Sequence, residues 1–199
     1  MSLNQMRSFV AQSLLVFGLF LSALTTACYA QAIPARPSIS IRPKPAAVIL
    51  GSLTVSASPT TASFTLVHGG ISNSQSIVIT TSWLALGLGT DPLDVYAYFT
   101  SSSIALQNTT NSSYTIPPSA IYGQVTGTGT LVSSYTAFTQ TTPFSSASGL
   151  HLADTLVSFV VLGAGSQTNT LALQINLSGQ PNLPAGSYTG TLTIQSVVN

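Results

Sequence analysis

The feature that most limits the fold of this chain is the strict alternation of residue types along its last segment, residues 183–198, which reads LPAGSYTGTLTIQSVV. On an extended backbone, Tyr188, Leu192 and Ile194 fall on one side, and Thr189, Thr191, Thr193 and Gln195 fall on the other. Because successive side chains of a strand point to opposite faces, one face is expected to meet a core and the other water. A strand with one wet face is typical of an antiparallel sheet that packs against a second layer.

Similar short runs, separated by glycine, proline, serine and asparagine, recur from residue 47 to the end of the chain. The clearest are residues 53–57, 77–83, 95–99 and 171–177. No stretch after the N-terminal segment has the apolar period of a helix. The sequence therefore predicts an all-β fold over residues 47–199, with roughly eight to ten strands in a two-sheet antiparallel sandwich of the immunoglobulin-like or pilin-like kind.

The N-terminal segment has the composition of an export signal. Arg7 precedes an apolar run over residues 9–24, and Ala30 and Ala32 are small residues at the spacing that a signal peptidase requires. We predict a helical signal peptide over residues 1–32, with cleavage after Ala30 or after Ala32. The apolar run is short for a membrane span, so a retained anchor is the less favoured interpretation.

The single cysteine, Cys28, allows another interpretation, because a cysteine at the end of such a run can carry the lipid of a bacterial lipoprotein. Leu24 lies one position too far upstream for that signal, so cleavage without lipidation is favoured. Cleavage after Ala30 would leave a mature protein without cysteine and hence without a disulfide. We expect an exported protein, periplasmic, extracellular or at the cell surface, that is held together by its core and its backbone hydrogen bonds.

Residues 33–46 form a proline-rich segment between the signal peptide and the predicted sandwich. The prolines of IPARPSISIRPKP favour an extended backbone, and Arg36, Arg42 and Lys44 supply the positive charge of the mature chain. The favoured interpretation is a solvated, semi-rigid spacer, and the alternative is docking onto an anionic cell surface or polysaccharide. The middle of the segment also alternates and could add to the edge of a sheet. The residues concerned are Ser38, Ile39, Ser40 and Ile41.

Charged residues make up only 4% of the chain, and no lysine or arginine follows Lys44. Without a cationic patch the protein cannot neutralise phosphates, so nucleic-acid binding is excluded. A surface of uncharged polar residues gives little repulsion between copies, and sheet edges without lysine or arginine lack the usual protection against strand addition. These features favour a subunit that associates. The scarcity of titratable groups also predicts a melting temperature that is nearly constant from mildly acidic to neutral pH.

Few side chains are candidates for catalysis. His151 and Asp154 could belong to a hydrolytic triad, but the sequence has no GxSxG motif, and a spacing of three along a strand would put the two residues on opposite faces. His68 precedes two glycines and is interpreted as a turn residue. We therefore predict a protein that is not an enzyme and has no catalytic residues.

Asp91 and Asp94 are predicted to lie close together in a loop. They are weak candidates for a calcium site, because Ca²⁺ takes several oxygen ligands and the surrounding sequence matches no known calcium loop. Asp91 precedes Pro92 and is also suited to starting a turn. We predict no metal and no other cofactor.

The aromatic residues divide into an inward and an outward set. Trp83 shares the inward register of the apolar residues before it, so its burial is predicted. Tyr96 and Tyr98 alternate with Val95 and Phe99 and are expected to face outward. They are candidate binding residues, because aromatic faces can stack on sugar rings. A pair of tyrosines on a sheet face also stabilises strand pairing, and this structural interpretation stays open.

Two parts of the chain resemble known families. Residues 183–194, LPAGSYTGTLTI, resemble the last strand of secreted pilin-like domains of the spore coat protein U type. Residues 53–83, with the motif LTVS at their start, Gly69-Gly70 and Trp83, are similar to the first strands of bacterial immunoglobulin-like modules, including those often attached to carbohydrate-active enzymes. The chain as a whole looks similar to exported proteins of soil bacteria.

The pilin-like resemblance implies export, assembly by a chaperone and usher, and joining of subunits by donor-strand exchange. Pilin-like domains of this type commonly have a cysteine pair, which this chain lacks. The resemblance therefore carries over no functional residue.

Two functional hypotheses follow. The leading one is an exported structural or assembly subunit of the bacterial surface, which associates through strand edges with itself or other surface subunits and is assisted by a periplasmic chaperone. Deletion of residues 33–45 should then prevent polymerisation and leave a folded monomer. The alternative is a glycan-binding or adhesive immunoglobulin-like module that binds polysaccharide through Tyr96 and Tyr98. A sandwich that lacks one strand would favour the subunit, and a closed sandwich with an aromatic shelf would favour the binding module.

Overall fold

Short alternating runs produce short strands, and the structure, a computed structural model, is built almost entirely from them. It describes residues 36–45, 51–85, 89–141, 147–159, 163–180 and 182–198. In these residues the strands are β1 (Ser38–Pro45), β2 (Gly51–Ser58), β3 (Thr61–Ser63), β4 (Ile71–Asn73), β5 (Ile77–Ala85), β6 (Gly89–Phe99), β7 (Leu106–Asn108), β8 (Thr115–Ile116), β9 (Ile121–Gly127), β10 (Thr136–Ala137), β11 (Ser148–Phe159), β12 (Gly163–Asn176) and β13 (Tyr188–Val198), with one 3-10 turn at Pro118–Ala120.

The strands form two sheets. In the larger sheet the order is β11-β6-β13-β1-β3, with β7 beside β13 and β8 beside β7. In the smaller sheet the order is β10-β9-β12-β5-β2, with β4 beside β12. Among the described strands every pair is antiparallel except β1 with β13. The prediction of an all-β sandwich of two mainly antiparallel sheets is confirmed. The described residues include no helix long and apolar enough to cross a membrane.

The core lies between the sheets and is filled by the alternation that the sequence shows. In β13 the predicted inward residues are fully buried; these are Tyr188, Leu192 and Ile194. On the opposite face Thr193 differs from the prediction, because it is only 5% exposed. Its neighbours in the sheet are Arg42 of β1 and Tyr98 of β6, two residues with long side chains on the same outer face.

Trp83 lies at one end of the sandwich, where it is partly buried against Leu53, Leu93 and Val157. The adjacent strand has Gly165 opposite Trp83, and a Cβ atom at this glycine would overlap the indole ring. The predicted inward register of Trp83 is confirmed. Its indole ring packs against the apolar residues at this end of the sandwich.

The largest departure from the sequence prediction is β1. Residues 38–45 were expected in a solvated spacer, but they form a strand within the larger sheet, parallel to β13 and antiparallel to β3. Ile39 and Ile41 are buried in the main core, and Ser40 and Arg42 face solvent. The spacer interpretation is wrong for these residues, because burying two isoleucine side chains stabilises the strand by roughly 3–6 kcal/mol and outweighs the local preference of the prolines.

Several predicted features lie outside the described residues. They include the signal peptide of residues 1–32 with its cleavage sites, Cys28, and the parts of the predicted spacer at residues 33–35 and at residue 46.

The number and limits of the strands also differ from the prediction. The described residues contain thirteen strands rather than eight to ten, because β3, β4, β7, β8 and β10 have only two or three residues each, too few to show a period. Asp91 and Asp94, expected in a loop, lie in β6 and pair with β11. The turn expected after His68 is present, with Gly69 at a φ of +60° that favours glycine.

Candidate functional site

The outer surface of the larger sheet carries a cluster of polar and aromatic side chains on its three neighbouring strands β11, β6 and β13. We call this cluster the polar face; its members are Asp94, Tyr96, Tyr98, His151, Asp154 and Gln195. In β6 the predicted alternation holds, since Val95, Ala97 and Phe99 are buried whereas Tyr96 and Tyr98 are half-buried on the outer side. The predicted orientation of the two tyrosines is confirmed.

A β-bulge in β11 brings His151 and Asp154 to the same face. The pairing of β11 with β6 shifts between His151, which lies opposite Tyr96, and Ala153, which lies opposite Val95. Leu152 is the extra residue, and both Leu152 and Ala153 are buried. The prediction that His151 and Asp154 lie on opposite faces is therefore wrong, because the bulge adds one residue and reverses the alternation after it.

His151 is held by three neighbours. Its Nε2 atom lies 2.8 Å from Oδ1 of Asp94, within hydrogen-bonding distance. The two side chains form an ion pair when the imidazole is protonated. Its ring stacks on Tyr96, with a centroid distance of 4.4 Å and an angle of 27° between the planes. Its backbone N–H donates to Oε1 of Gln140 at 2.7 Å. The imidazole is therefore fixed in place, with its side chain about a quarter exposed (28%).

The electrostatics of the polar face act on Tyr96. Burial is the main cause that raises the pKa of its hydroxyl above the usual 10.0, and the charge of Asp94, a hydrogen bond to Asp94 and the charge of Asp154 raise it further. Asp94 and Asp154 lie directly opposite each other in β6 and β11. The Tyr96 hydroxyl consequently stays protonated and can donate a hydrogen bond throughout the physiological pH range.

The other side of β6 extends the face with an amide. The hydroxyl of Tyr98 donates to Oε1 of Gln195 in β13 at 3.2 Å. Arg42 follows at the rim, exposed on β1 and next to Thr193. At the opposite rim Leu156 of β11 is 73% exposed on the same face. The face thus combines carboxylates, an imidazole, an amide and two phenol rings between one basic and one apolar border.

The candidate calcium ligands are not brought together. Asp91 and Asp94 lie in strand β6 and not in a loop, and their spacing of three places them on opposite faces of the sheet. The described residues contain no group of three or more histidine, cysteine, aspartate or glutamate side chains that could hold a metal ion. The predicted weak site is therefore not formed by this pair, and Asp94 has His151 as its neighbour.

The His151–Asp94 pair resembles two members of a hydrolytic triad, which would also need a hydroxyl or thiol nucleophile. Among the described residues no serine or threonine hydroxyl hydrogen-bonds to His151. Acyl transfer would require such a hydroxyl in contact with the imidazole. Carboxylate and amide oxygens that accept hydrogen bonds, next to aromatic rings, suit a ligand that has many hydroxyl groups and apolar C–H surfaces.

Residues 38–41, which were predicted to add to the edge of a sheet, lie within the larger sheet of their own chain. Ser38 lies opposite Thr189 of β13 and Ile41 opposite Leu192. On the other side, Ile39 lies opposite Ala62 of β3. Pairing of this segment with a neighbouring subunit stays a prediction.

The sequence did not identify Gln195 as a member of the candidate site. It suggested His151 only as a member of a hydrolytic triad, and not as a neighbour of Asp94 and Tyr96. Gln195 carried a signal, since it alternates with Ile194 on the wet side of the last strand. The pairing of β13 with β6 could not be read from the pattern, so its position beside Tyr98 was unknown. The position of His151 depends on the bulge at Leu152, where the bulged residues themselves, Leu152 and Ala153, include no glycine or proline that would mark it.

No known protein family matches this chain, and no curated protein is significantly similar to it.

Proposed function

We propose that this protein is an exported, non-catalytic module of the bacterial surface that binds a neutral polysaccharide through the polar face. The observation that carries the proposal is the fixed arrangement of His151, stacked on Tyr96 and bonded to Asp94, on an open sheet surface. Side chains that are already immobilised lose little conformational entropy when a ligand binds. Export rests on the predicted signal peptide, and the resemblance of residues 53–83 to immunoglobulin-like modules agrees with this role.

The charges of the polar face favour a neutral over an acidic ligand. Asp94 and Asp154 lie opposite each other on its surface strands, beside the imidazole of His151, whereas Arg42 and Lys44 lie on β1 at the rim, opposite Thr193 and Gln195. Two carboxylates beside each other repel an anionic polymer and accept hydrogen bonds from hydroxyl groups. Extended strands also give a long, shallow surface, which fits a chain of sugar residues better than a single small molecule.

The complete larger sheet is a second argument for a binding module. Among the described strands β1 fills the position between β13 and β3, so the larger sheet has no gap at this position for a partner strand. Tyr96 and Tyr98 form an aromatic shelf on its outer face. A filled larger sheet together with an aromatic shelf is the combination expected of a glycan-binding module.

The test is a binding survey of the purified protein against soluble neutral and acidic polysaccharides, by affinity electrophoresis and titration calorimetry. We expect saturable binding to a neutral polymer. The double variant Tyr96→Ala/Tyr98→Ala should bind at least about tenfold more weakly, a loss of about 1.4 kcal/mol, because it removes both ring surfaces.

The matched control is Tyr122→Ala, which removes a half-buried tyrosine from the outer face of the smaller sheet. It should bind like the wild type. Absence of saturable binding across the panel, or equal weakening by the control and the double variant, would contradict the proposal.

A second candidate function is assembly by exchange of β1, and one observation favours it. The segment that closes the larger sheet is the first described strand, and most of its contacts are with β13 and β3 rather than with the strand that follows it. An equivalent β1 from another molecule could form the same pairs, as in β-strand addition. The protein would then be a subunit of a surface polymer.

The structure changes the expected result of the deletion that tests this candidate. Removal of residues 33–45 takes Ile39 and Ile41 out of the core, so we now expect the truncated protein to be strongly destabilised and not to form a folded monomer. A synthetic peptide of residues 36–45 should restore cooperative unfolding when added in trans, measured by thermal denaturation. The matched control peptide has Ile39→Ser and Ile41→Ser. Failure of the natural peptide, or equal rescue by the control, would rule out exchange.

A further inference from the structure

Strand β2 (Gly51–Ser58) forms a border of the smaller sheet and, in the part of the chain that the structure describes, pairs only with β5. The pairing is regular over all eight residues, from Gly51 opposite Ala85 to Ser58 opposite Val78, without a bulge. In an edge strand every second residue directs its N–H and C=O groups away from its neighbour. β2 therefore presents an uninterrupted row of backbone donors and acceptors.

The other borders of the described sheets are short or interrupted. Strands β3, β4, β8 and β10 have two or three residues each. β11 has its bulge at Leu152, is bridged to Thr130 and Gln140, and carries Asp154. The start of β12 extends beyond β9 but contains Gly163 and Gly165, which weaken a strand. Natural proteins use devices of this kind to prevent pairing between edges.

Apart from the glycine at its first position, Gly51, β2 has none of these devices. Its sequence GSLTVSAS contains no charged residue and no proline, and its length is ordinary for a paired strand. Leu53, Val55 and Ala57 are buried, and Thr54 and Ser56 are exposed on the outer face. The side chains are uncharged on both faces and short on the outer face, so another backbone could approach the edge without steric or electrostatic conflict.

The side-chain pattern limits how a second copy could pair with β2. Directly opposite residues of an antiparallel pair lie on the same face of the sheet. A two-fold axis between the two strands must therefore place one residue directly opposite its own copy, because any other register would pair an inward residue with an outward one. Near the middle of β2 this leaves two registers. In one, Thr54 lies opposite its own copy; in the other, Val55 does, and Thr54 lies opposite Ser56. In both, hydroxyl side chains face each other outside and apolar side chains face each other inside.

We infer that β2 pairs antiparallel with β2 of a second copy of this chain and joins the smaller sheets of two molecules into one continuous sheet. The pairing adds backbone hydrogen bonds between the two copies. It also buries the apolar side chains of Leu53, Val55 and Ala57 further. The inference goes beyond the proposed function, since it requires neither a ligand nor the departure of β1. The two polar faces of such a dimer lie on the larger sheets and stay free, so the dimer would present two copies of the proposed binding surface.

The test is the oligomeric state of the purified protein as a function of concentration, measured by analytical ultracentrifugation. We expect a reversible dimer. The double variant Thr54→Lys/Ser56→Lys places lysines opposite each other in either register, so its dimer dissociation constant should rise at least about tenfold. Hydrogen exchange of the amides in residues 51–58 should slow as the wild-type concentration rises.

The matched control is Ser166→Lys/Thr168→Lys. These two exposed residues of β12 occupy the same rows of the sheet, two strands away from Thr54 and Ser56, and the charge change is identical. The control should dimerise like the wild type. A wild type that stays monomeric at all concentrations, equal dissociation of both double variants, or dissociation of the control alone would overturn the inference. Circular dichroism of each variant checks that the sandwich remains folded.

Discussion

At the scale of single residues, the last strand shows how much one position can depend on a distant segment. Gly190 lies on the inward side of β13 between Tyr188 and Leu192, where the alternation calls for a large apolar residue. The buried residues Ala105 and Leu106 cross the strand at this point. A Cβ atom at Gly190 would overlap the carbonyl oxygen of Ala105 and lie 2.8 Å from a methyl group of Leu106. Glycine is therefore required for close approach and not for a special backbone angle.

This contact gives a prediction for Gly190→Ala. Because the overlapping atom belongs to the backbone, the segment at Ala105 has to move, and we expect a loss of about 1–3 kcal/mol in the free energy of unfolding. Urea denaturation followed by tryptophan fluorescence measures it. Gly179→Ala is the control, since a Cβ atom there would have no neighbour within 4 Å, and its effect should stay within about 0.5 kcal/mol. An unchanged midpoint for Gly190→Ala would show that the segment at Ala105 is not packed on β13.

At the scale of strands, the sequence predicts the elements with strict alternation and misses those whose position depends on a partner. The segments around Leu53, Leu171 and Leu192 contain enough alternating residues to show a period of two, and each is a strand with the predicted face inward. β1 was missed as part of the fold because its alternation covers only a few residues between prolines. The gain that makes it a strand is burial of Ile39 and Ile41 between β13, β3 and the opposite sheet, which sequence does not display.

The same limit applies to the candidate site. The outward orientation of Tyr96 and Tyr98 follows from the register of β6 and was predicted. Their surroundings do not follow from it, because the polar face is assembled from β6, β11 and β13, which lie far apart in the sequence. The bulge at Leu152 then decides that His151 and Asp154 share a face. A bulge changes every assignment after it along a strand, so one unpredicted residue altered the interpretation of the entire acidic and imidazole cluster.

At the scale of the whole molecule, the scarcity of charge determines how stability should respond to pH. The chain has three acidic residues and two histidines, so few protons are taken up or released on unfolding between mildly acidic and neutral pH. At alkaline pH the tyrosines become important. Burial raises the pKa of the Tyr188 hydroxyl, which donates to the carbonyl oxygen of Pro184 at 2.9 Å, and burial together with Asp94 raises that of Tyr96.

A raised pKa in the folded protein means that the unfolded chain loses the tyrosine proton first. As pH rises above the usual value of 10.0, the unfolded state binds fewer protons than the folded state, so the free energy of unfolding falls.

We expect thermal stability to be flat from about pH 5 to neutral pH and to decline above about pH 10. The double variant Tyr96→Phe/Tyr188→Phe should have a shallower alkaline decline, whatever its stability at neutral pH, because the two groups responsible are absent. Melting temperatures measured by calorimetry across this range test both parts. A marked fall on acidification would refute the first part, and an alkaline slope identical in wild type and double variant would refute the second.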